Sequence, residues 1–231
     1  MENDTFERGQ WFKGRVYERE CDLSFDGKYL IYFAATNRPP LYRWLAISKL
    51  PYFTALAFWP SGSIVGGGLF ISADTFALRN AIYSAKPPGM IGSPFRMLEG
   101  REHSDEVMDG RAVMRRSGWT ILNEIEDEEL LMQKPHPTLP FRLQLFTNDF
   151  SGRGSKTVLR YRAFSEDNEI FPWQRWSWAD WDVSGDLLYA TDGKIFRSAM
   201  TQSTIGPGVE LADFCHDTFS EVRPPTEALK W

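Results

Sequence analysis

Two aspartates, Asp22 and Asp180, open similar segments 158 residues apart. The first runs Cys21-Asp22-Leu23-Ser24-Phe25-Asp26-Gly27-Lys28-Tyr29-Leu30-Ile31-Tyr32. The second runs Ala179-Asp180-Trp181-Asp182-Val183-Ser184-Gly185-Asp186-Leu187-Leu188-Tyr189-Ala190. Two carboxylates facing each other across a channel suit glycoside cleavage, where one stays ionised and the other keeps a raised pKa. A repeated acid also suits a structural role, accepting backbone N–H bonds at the adjacent turn. Repeats encode structure first, and both readings stay open at this point.

The run Trp173-Gln174-Arg175-Trp176-Ser177-Trp178-Ala179-Asp180-Trp181 is dense in indoles. On a strand Trp176 and Trp178 share one face, while Trp181 has the opposite parity. Exposed, they form a stacking platform for sugar rings or a hot spot for a protein partner. Buried, they fill the gaps between neighbouring sheets. The stretch Lys86 to Gly110 is punctuated by prolines and glycines and holds the polar run Arg101-Glu102-His103-Ser104-Asp105-Glu106. A connection of this length is either functional or mobile, and the functional reading adds His103 to Asp22, Asp180, Trp176 and Trp178 as candidate binding residues. The catalytic candidates, for a hydrolase alone, are Asp22 and Asp180.

Other chemistry is excluded by spacing. His103, His136 and His216 have no paired spacing, and no zinc motif of close Cys or His occurs, so no metal and no cofactor is expected. Cys215-His216-Asp217 holds the letters of nucleophilic catalysis, but adjacent strand residues point to opposite faces. Cys21 and Cys215 form no disulfide framework and read as buried, inert thiols. Gly66-Gly67-Gly68 reads as a bulge, a turn or a close backbone approach. Ser151-Gly152-Arg153-Gly154-Ser155-Lys156-Thr157 lacks the Gly-Lys-Ser/Thr of a phosphate loop and reads as a hairpin tip. The run Glu124-Ile125-Glu126-Asp127-Glu128-Glu129 lacks the alternation of a calcium loop and reads as a solvated face or electrostatic docking patch.

The balance of the chain narrows its partners. With 231 residues, 42% hydrophobic and 15% aromatic, it has material for a sizeable core and is neither disordered nor collagenous. Its net charge of −5 argues against phosphate-backbone binding, so nucleic acid is not an expected partner. The acidic, polar start carries no secretory pattern, and the longest apolar runs are too short to cross a bilayer. A cytoplasmic protein without membrane attachment is expected.

The elements that must position these residues are strands. Lys28 to Phe33 is rich in strand formers, and Thr157 to Arg162 alternates. Ala73 to Ala85 and Glu124 to Met132 are the best helix candidates, and both are weak. Turn signals recur at Asp26-Gly27, Ser61-Gly62, Asp109-Gly110, Ser184-Gly185 and Asp192-Gly193. Two further self-matches accompany the first. Asp109-Gly110-Arg111 falls on Asp192-Gly193-Lys194 at an offset of 83, and Ser24-Phe25-Asp26-Gly27 on Trp59-Pro60-Ser61-Gly62 at an offset of 35. These offsets approximate one, two and four steps of roughly 40 residues, the length of a propeller blade.

The segments from Asp22 to Leu30 and from Asp180 to Tyr189 resemble the first hairpin of a bacterial TolB-type or WD-repeat β-propeller blade. The chain also resembles uncharacterised cytosolic bacterial proteins of similar length. It departs from WD repeats in lacking Gly-His and a closing Trp-Asp. The resemblance implies an all-β fold, a small propeller of five blades of four-stranded antiparallel sheet, spanning 1–231 as one domain. Irregular insertions are expected near 86–110 and 133–140. The resemblance implies no chemistry, because sites are grafted on folds. The expected function is a non-catalytic protein-interaction module binding a protein partner through loops on one face. The alternative is a carbohydrate-active hydrolase or sugar-binding protein using channel carboxylates and Trp stacking.

Overall fold

The computed structural model describes residues 5–64, 66–79, 88–98, 111–125, 129–148, 158–166 and 168–231. His103, Asp109-Gly110, the tip Ser151 to Thr157, Glu126 to Glu128 and most of the 86–110 stretch lie outside the described residues. The chain divides into two compact units. One comprises Glu7–Val113 with Phe219–Trp231, the other Met1–Phe6 with Met114–Thr218.

The first unit holds eight described strands: β1 (Arg15–Val16), β2 (Asp22–Leu23), β3 (Tyr29–Ala35), β4 (Arg43–Lys49), β5 (Ala55–Pro60), β6 (Gly67–Ser72), β7 (Thr75–Arg79) and β8 (Arg96–Met97). Sheet A is the antiparallel meander β2-β3-β4-β5, with β1 pairing the far half of β3. Sheet B is β6-β7-β8, its last pair parallel. Strand β3 is apolar throughout because both its faces are covered. Tyr29, Ile31 and Phe33 join Leu45, Ile47, Trp59, Phe70 and Phe76 in one cluster. Tyr32 and Ala34 join Ala46, Phe12 and Phe53 in another. Burying each large side chain contributes roughly 1.5–3 kcal/mol, so β3 organises the unit. The glycine run marks where β6 passes over β3: a Cβ on Gly66 would stand 2.3 Å from the Phe33 ring, and one on Gly68 would stand 2.3 Å from Ile31. The close approach is to core, not to a ligand. The segment Phe219–Trp231 returns to this unit, where Trp231 packs on Tyr29 and Phe95.

The second unit begins with the short helix α1 (Ala112–Arg116), whose first two residues belong to the preceding unit. Sheet C is the five-stranded meander of β9 (Thr120–Ile125), β10 (Glu129–Pro135), β11 (Phe141–Thr147), β12 (Leu159–Ser165) and β13 (Asn168–Gln174). Sheet D is the meander of β14 (Trp178–Trp181), β15 (Leu187–Thr191), β16 (Lys194–Met200) and β17 (Ile205–Asp213). One core joins them: Leu130, Met132, Leu143, Leu145, Tyr161 and Ala163 from sheet C meet Ala179, Trp181 and Leu187 from sheet D.

The fold is all-β, and none of the four described sheets closes on itself. Both helix expectations are corrected. The described part of Ala73 to Ala85 carries β7, all of whose residues are buried, and Glu124 to Met132 spans the facing ends of β9 and β10. Burial on both sides and cross-strand pairing override a weak helical pattern. Gln133 to Pro135 belongs to β10, so the expected 133–140 insertion reduces to the short link from β10 to β11. The offset of 35 is also not structural. Trp59-Pro60 ends the outer strand β5, whereas Ser24-Phe25 forms the turn between β2 and β3.

Candidate functional site

The two repeated hairpins are alike in detail. Each begins with a short strand, turns through a glycine of positive φ (Gly27 at 69°, Gly185 at 92°), and enters a long antiparallel partner. In the first, the Ser24 hydroxyl donates to Asp26 Oδ1 at 2.7 Å; in the second, the Ser184 hydroxyl donates to Asp182 Oδ1 at 2.6 Å. The donor and acceptor types have exchanged positions, yet the turn is held by the same bond. The second hairpin closes one residue sooner, because Asp22 faces Ile31 whereas Asp180 faces Leu188.

The aspartates that open these hairpins are braces. Asp22, 4% exposed, accepts the Leu23 N–H on Oδ1 and the Phe70 N–H on Oδ2, both at 2.8 Å. It thereby ties sheet A to β6. Asp180 accepts the Trp181 N–H on Oδ1 at 2.7 Å, and the same oxygen pairs with Lys134 Nζ at 2.5 Å, tying sheet D to β10. His136 supports that junction. Its Nδ1 accepts the N–H groups of Thr138 and Leu139 at 3.0 and 2.9 Å, so the ring proton sits on Nε2 and is donated to the Gly185 carbonyl at 2.7 Å. The spacing Asp180-x-Asp182-x-Ser184-Gly185 has the letters of a calcium loop. Cations of the chain occupy it instead: Lys134 on Asp180, and Arg197 Nε 3.1 Å from Asp182.

The tryptophans separate. Trp176 precedes β14 and is buried, stacked on Tyr189 with centroids 4.5 Å apart. Trp181 is buried against His136. Trp178 is 44% exposed. The shared face expected for Trp176 and Trp178 is not formed, because the strand begins only at Trp178. Cys215 is exposed, contrary to expectation, with its thiol donating to the Asp192 carbonyl.

The titration shifts follow the same structural logic. The Ser24 hydroxyl and then Lys28 hold the exposed Asp26 carboxyl down at about 2. Ser72 and Thr75 lower Asp74. Burial works against the Asp182 charge, but bonds from Ser184 and Asp186 carry its carboxyl below the ordinary range. Asp213 is lowered first by the Cys215 N–H, and Lys194 is raised by Glu210 and Asp213. Burial pushes the Cys21 thiol up to about 12 and raises Tyr32, while the bond to Asp213 raises Cys215. Each of these shifts moves its group away from neutrality.

A constellation outside the expected residues lies on the face of sheet C opposite its core. Strand register sets Arg142 against Phe164, Gln144 against Arg162 and Phe146 against Arg160, an alternation of cations and rings. The Arg162 guanidinium lies 4.7 Å from the Phe164 centroid and 4.3 Å from that of Trp173. Arg142 lies 5.0 Å from the Phe164 centroid. Gln144 fixes the array, accepting from Arg162 Nε at 2.9 Å and donating to Gln133 Oε1 at 3.1 Å. Phe146 meets Trp173 edge-on. Glu169 pairs with Arg162 at 3.3 Å. Guanidinium planes held on rings lose little freedom when their N–H edges meet an anion. The sequence signals were present in Arg160-x-Arg162 and Arg142-x-Gln144-x-Phe146, but no motif brings the two strands into this register.

No family model matches the chain, and neither the curated proteins nor the solved structures contain a match.

Proposed function

We propose that the chain is a non-catalytic protein-interaction module. Its scaffold is read as a small propeller of five blades, since 231 residues leave no room for seven, and it offers the arginine–aromatic face of sheet C to a protein partner. The observation carrying this reading is that face: three arginines alternating with Phe146 and Phe164 across β11 and β12, Trp173 packed against Arg162, and Arg160 exposed. Two observations support the lack of a catalytic role. Asp22 gives both its oxygens to backbone N–H groups and Asp180 gives Oδ1 to a backbone N–H and a lysine, and the resolved titration shifts tune no group toward neutral pH, where general acids and bases work best. The carbohydrate reading keeps one exposed indole, Trp178, and is supported less because Trp176 is core and guanidinium groups lie over the Phe164 and Trp173 rings.

Photo-crosslinking in cells tests the reading. A benzophenone side chain replacing Arg160 is expected to capture a discrete protein adduct, and one replacing the exposed Val183 is not. Equal capture at both positions, or none at Arg160, overturns it.

A further inference from the structure

We propose that the sheet C face recognises an extended acidic segment of a partner protein, with carboxylates at alternate residues. This rests on the reading of the chain as an interaction module. The spacing comes from β12, where Arg160 and Arg162 project from one face two residues apart, about 7 Å along an extended strand. An extended partner segment laid along β12 repeats its side chains at the same interval, so acids at i and i+2 meet both guanidinium groups. Arg142 reaches the Phe164 ring from the neighbouring strand, diagonal to Arg162, and helps to hold that ring in place.

Electrostatics favours this occupant over others. Arg160 and Arg162 against Glu169 leave this part of the face positive in a chain whose net charge is −5. A long polyanion such as nucleic acid extends past the array into the field of an acidic protein, whereas a short acidic segment meets the array alone. A neutral sugar needs bare ring faces, and here guanidinium groups lie over them. Arg160 is the accessible member: it is exposed and forms no ion pair with a described carboxylate.

Fluorescence anisotropy with the full chain at low ionic strength tests the proposal. The probes are a labelled decapeptide of alternating Glu and Ser, a peptide of the same composition with its acids in one block, a Gln-for-Glu version, and a ten-nucleotide oligothymidylate. The alternating peptide is expected to bind best and the Gln version not at all. Arg160→Gln, which breaks no ion pair with a described carboxylate, is expected to weaken the alternating peptide about fivefold, the upper range for an exposed ion pair. Arg223→Gln, exposed and distant in sequence, serves as control and leaves binding unchanged. Equal binding of the block or Gln peptide, tighter binding of the oligonucleotide, or indifference to Arg160→Gln overturns the proposal. If no peptide binds while the Arg160 crosslink forms, the acidic-segment inference fails and the interaction module stands. If the crosslink also fails, both fall.

Discussion

Replacing Asp22 by alanine discriminates between a brace and a catalytic acid. The substitution deletes the acceptors of two N–H groups at unequal cost. Leu23 is exposed, so its N–H turns to water with little loss. Phe70 is fully buried on β6, and its N–H is left without the carboxylate that accepts it. An unsatisfied buried donor costs about 1–3 kcal/mol, with the upper part fitting a charged acceptor. We therefore expect Asp22→Ala to lose about 2.5 kcal/mol. At roughly 2–4 °C per kcal/mol for a chain of this size, Tm falls by about 5–10 °C. Asp22→Asn keeps one oxygen for Phe70 and is expected to lose about half as much. Urea unfolding and a thermal melt of the three proteins supply the order Ala, Asn, wild type. If Asp22→Ala lies within about 0.5 kcal/mol of wild type, the tie to β6 is not a stabilising one.

Three further outcomes are expected. Gly185→Ala should destabilise more than Gly27→Ala: both positions have positive φ, worth roughly 1–2 kcal/mol, but only at Gly185 does a Cβ meet a neighbour, His136 Nε2 at 2.8 Å. Equal melting temperatures for the two variants contradict the described packing. At pH 8 a thiol reagent should label exposed Cys215 first and part-buried Cys21, whose thiol keeps its proton, much more slowly until the chain unfolds. Because Cys21 holds its proton to about 12 when folded and to an ordinary 9.0 when unfolded, its contribution is intact below pH 9. That contribution is lost as pH rises through this window, so the urea midpoint falls there, and less steeply in Cys21→Ala. Asp26 runs the other way: with its carboxyl at about 2 against an ordinary 3.8, its contribution is present above pH 3.8 and lost as pH falls toward 2. In Ser24→Ala an NMR titration of Asp26 should move up toward 3.8, and no movement removes the hydroxyl as the main cause.

Much of the local architecture was legible in the chain. The strand-rich composition, the turns at Asp26-Gly27, Ser184-Gly185 and Asp192-Gly193, and the likeness of Asp22–Tyr32 to Asp180–Ala190 are short-range patterns. A hairpin depends on residues within about ten of each other, and a turn glycine declares its own conformation. The phosphate-loop exclusion falls on Ser151 to Thr157, outside the described residues, and Cys215-His216 lies in a turn after β17, so the opposite-face argument for a strand does not apply there.

The sites were not legible, because each depends on partners remote in sequence. Asp22 is a brace only because β6 brings Phe70 to it, and Asp180 only because β10 brings Lys134. Trp176 and Trp178 separated because burial against Tyr189 ended the regular parity before the strand began. The arginine face exists only in one register of β11 against β12, and a slip of one residue would turn its side chains toward the core. Periodicity along a strand is a property of the backbone and can be read from residue order. Which strand lies beside it, and at what offset, is chosen by the total burial of apolar surface and pairing of polar groups, which only the assembled sheets decide.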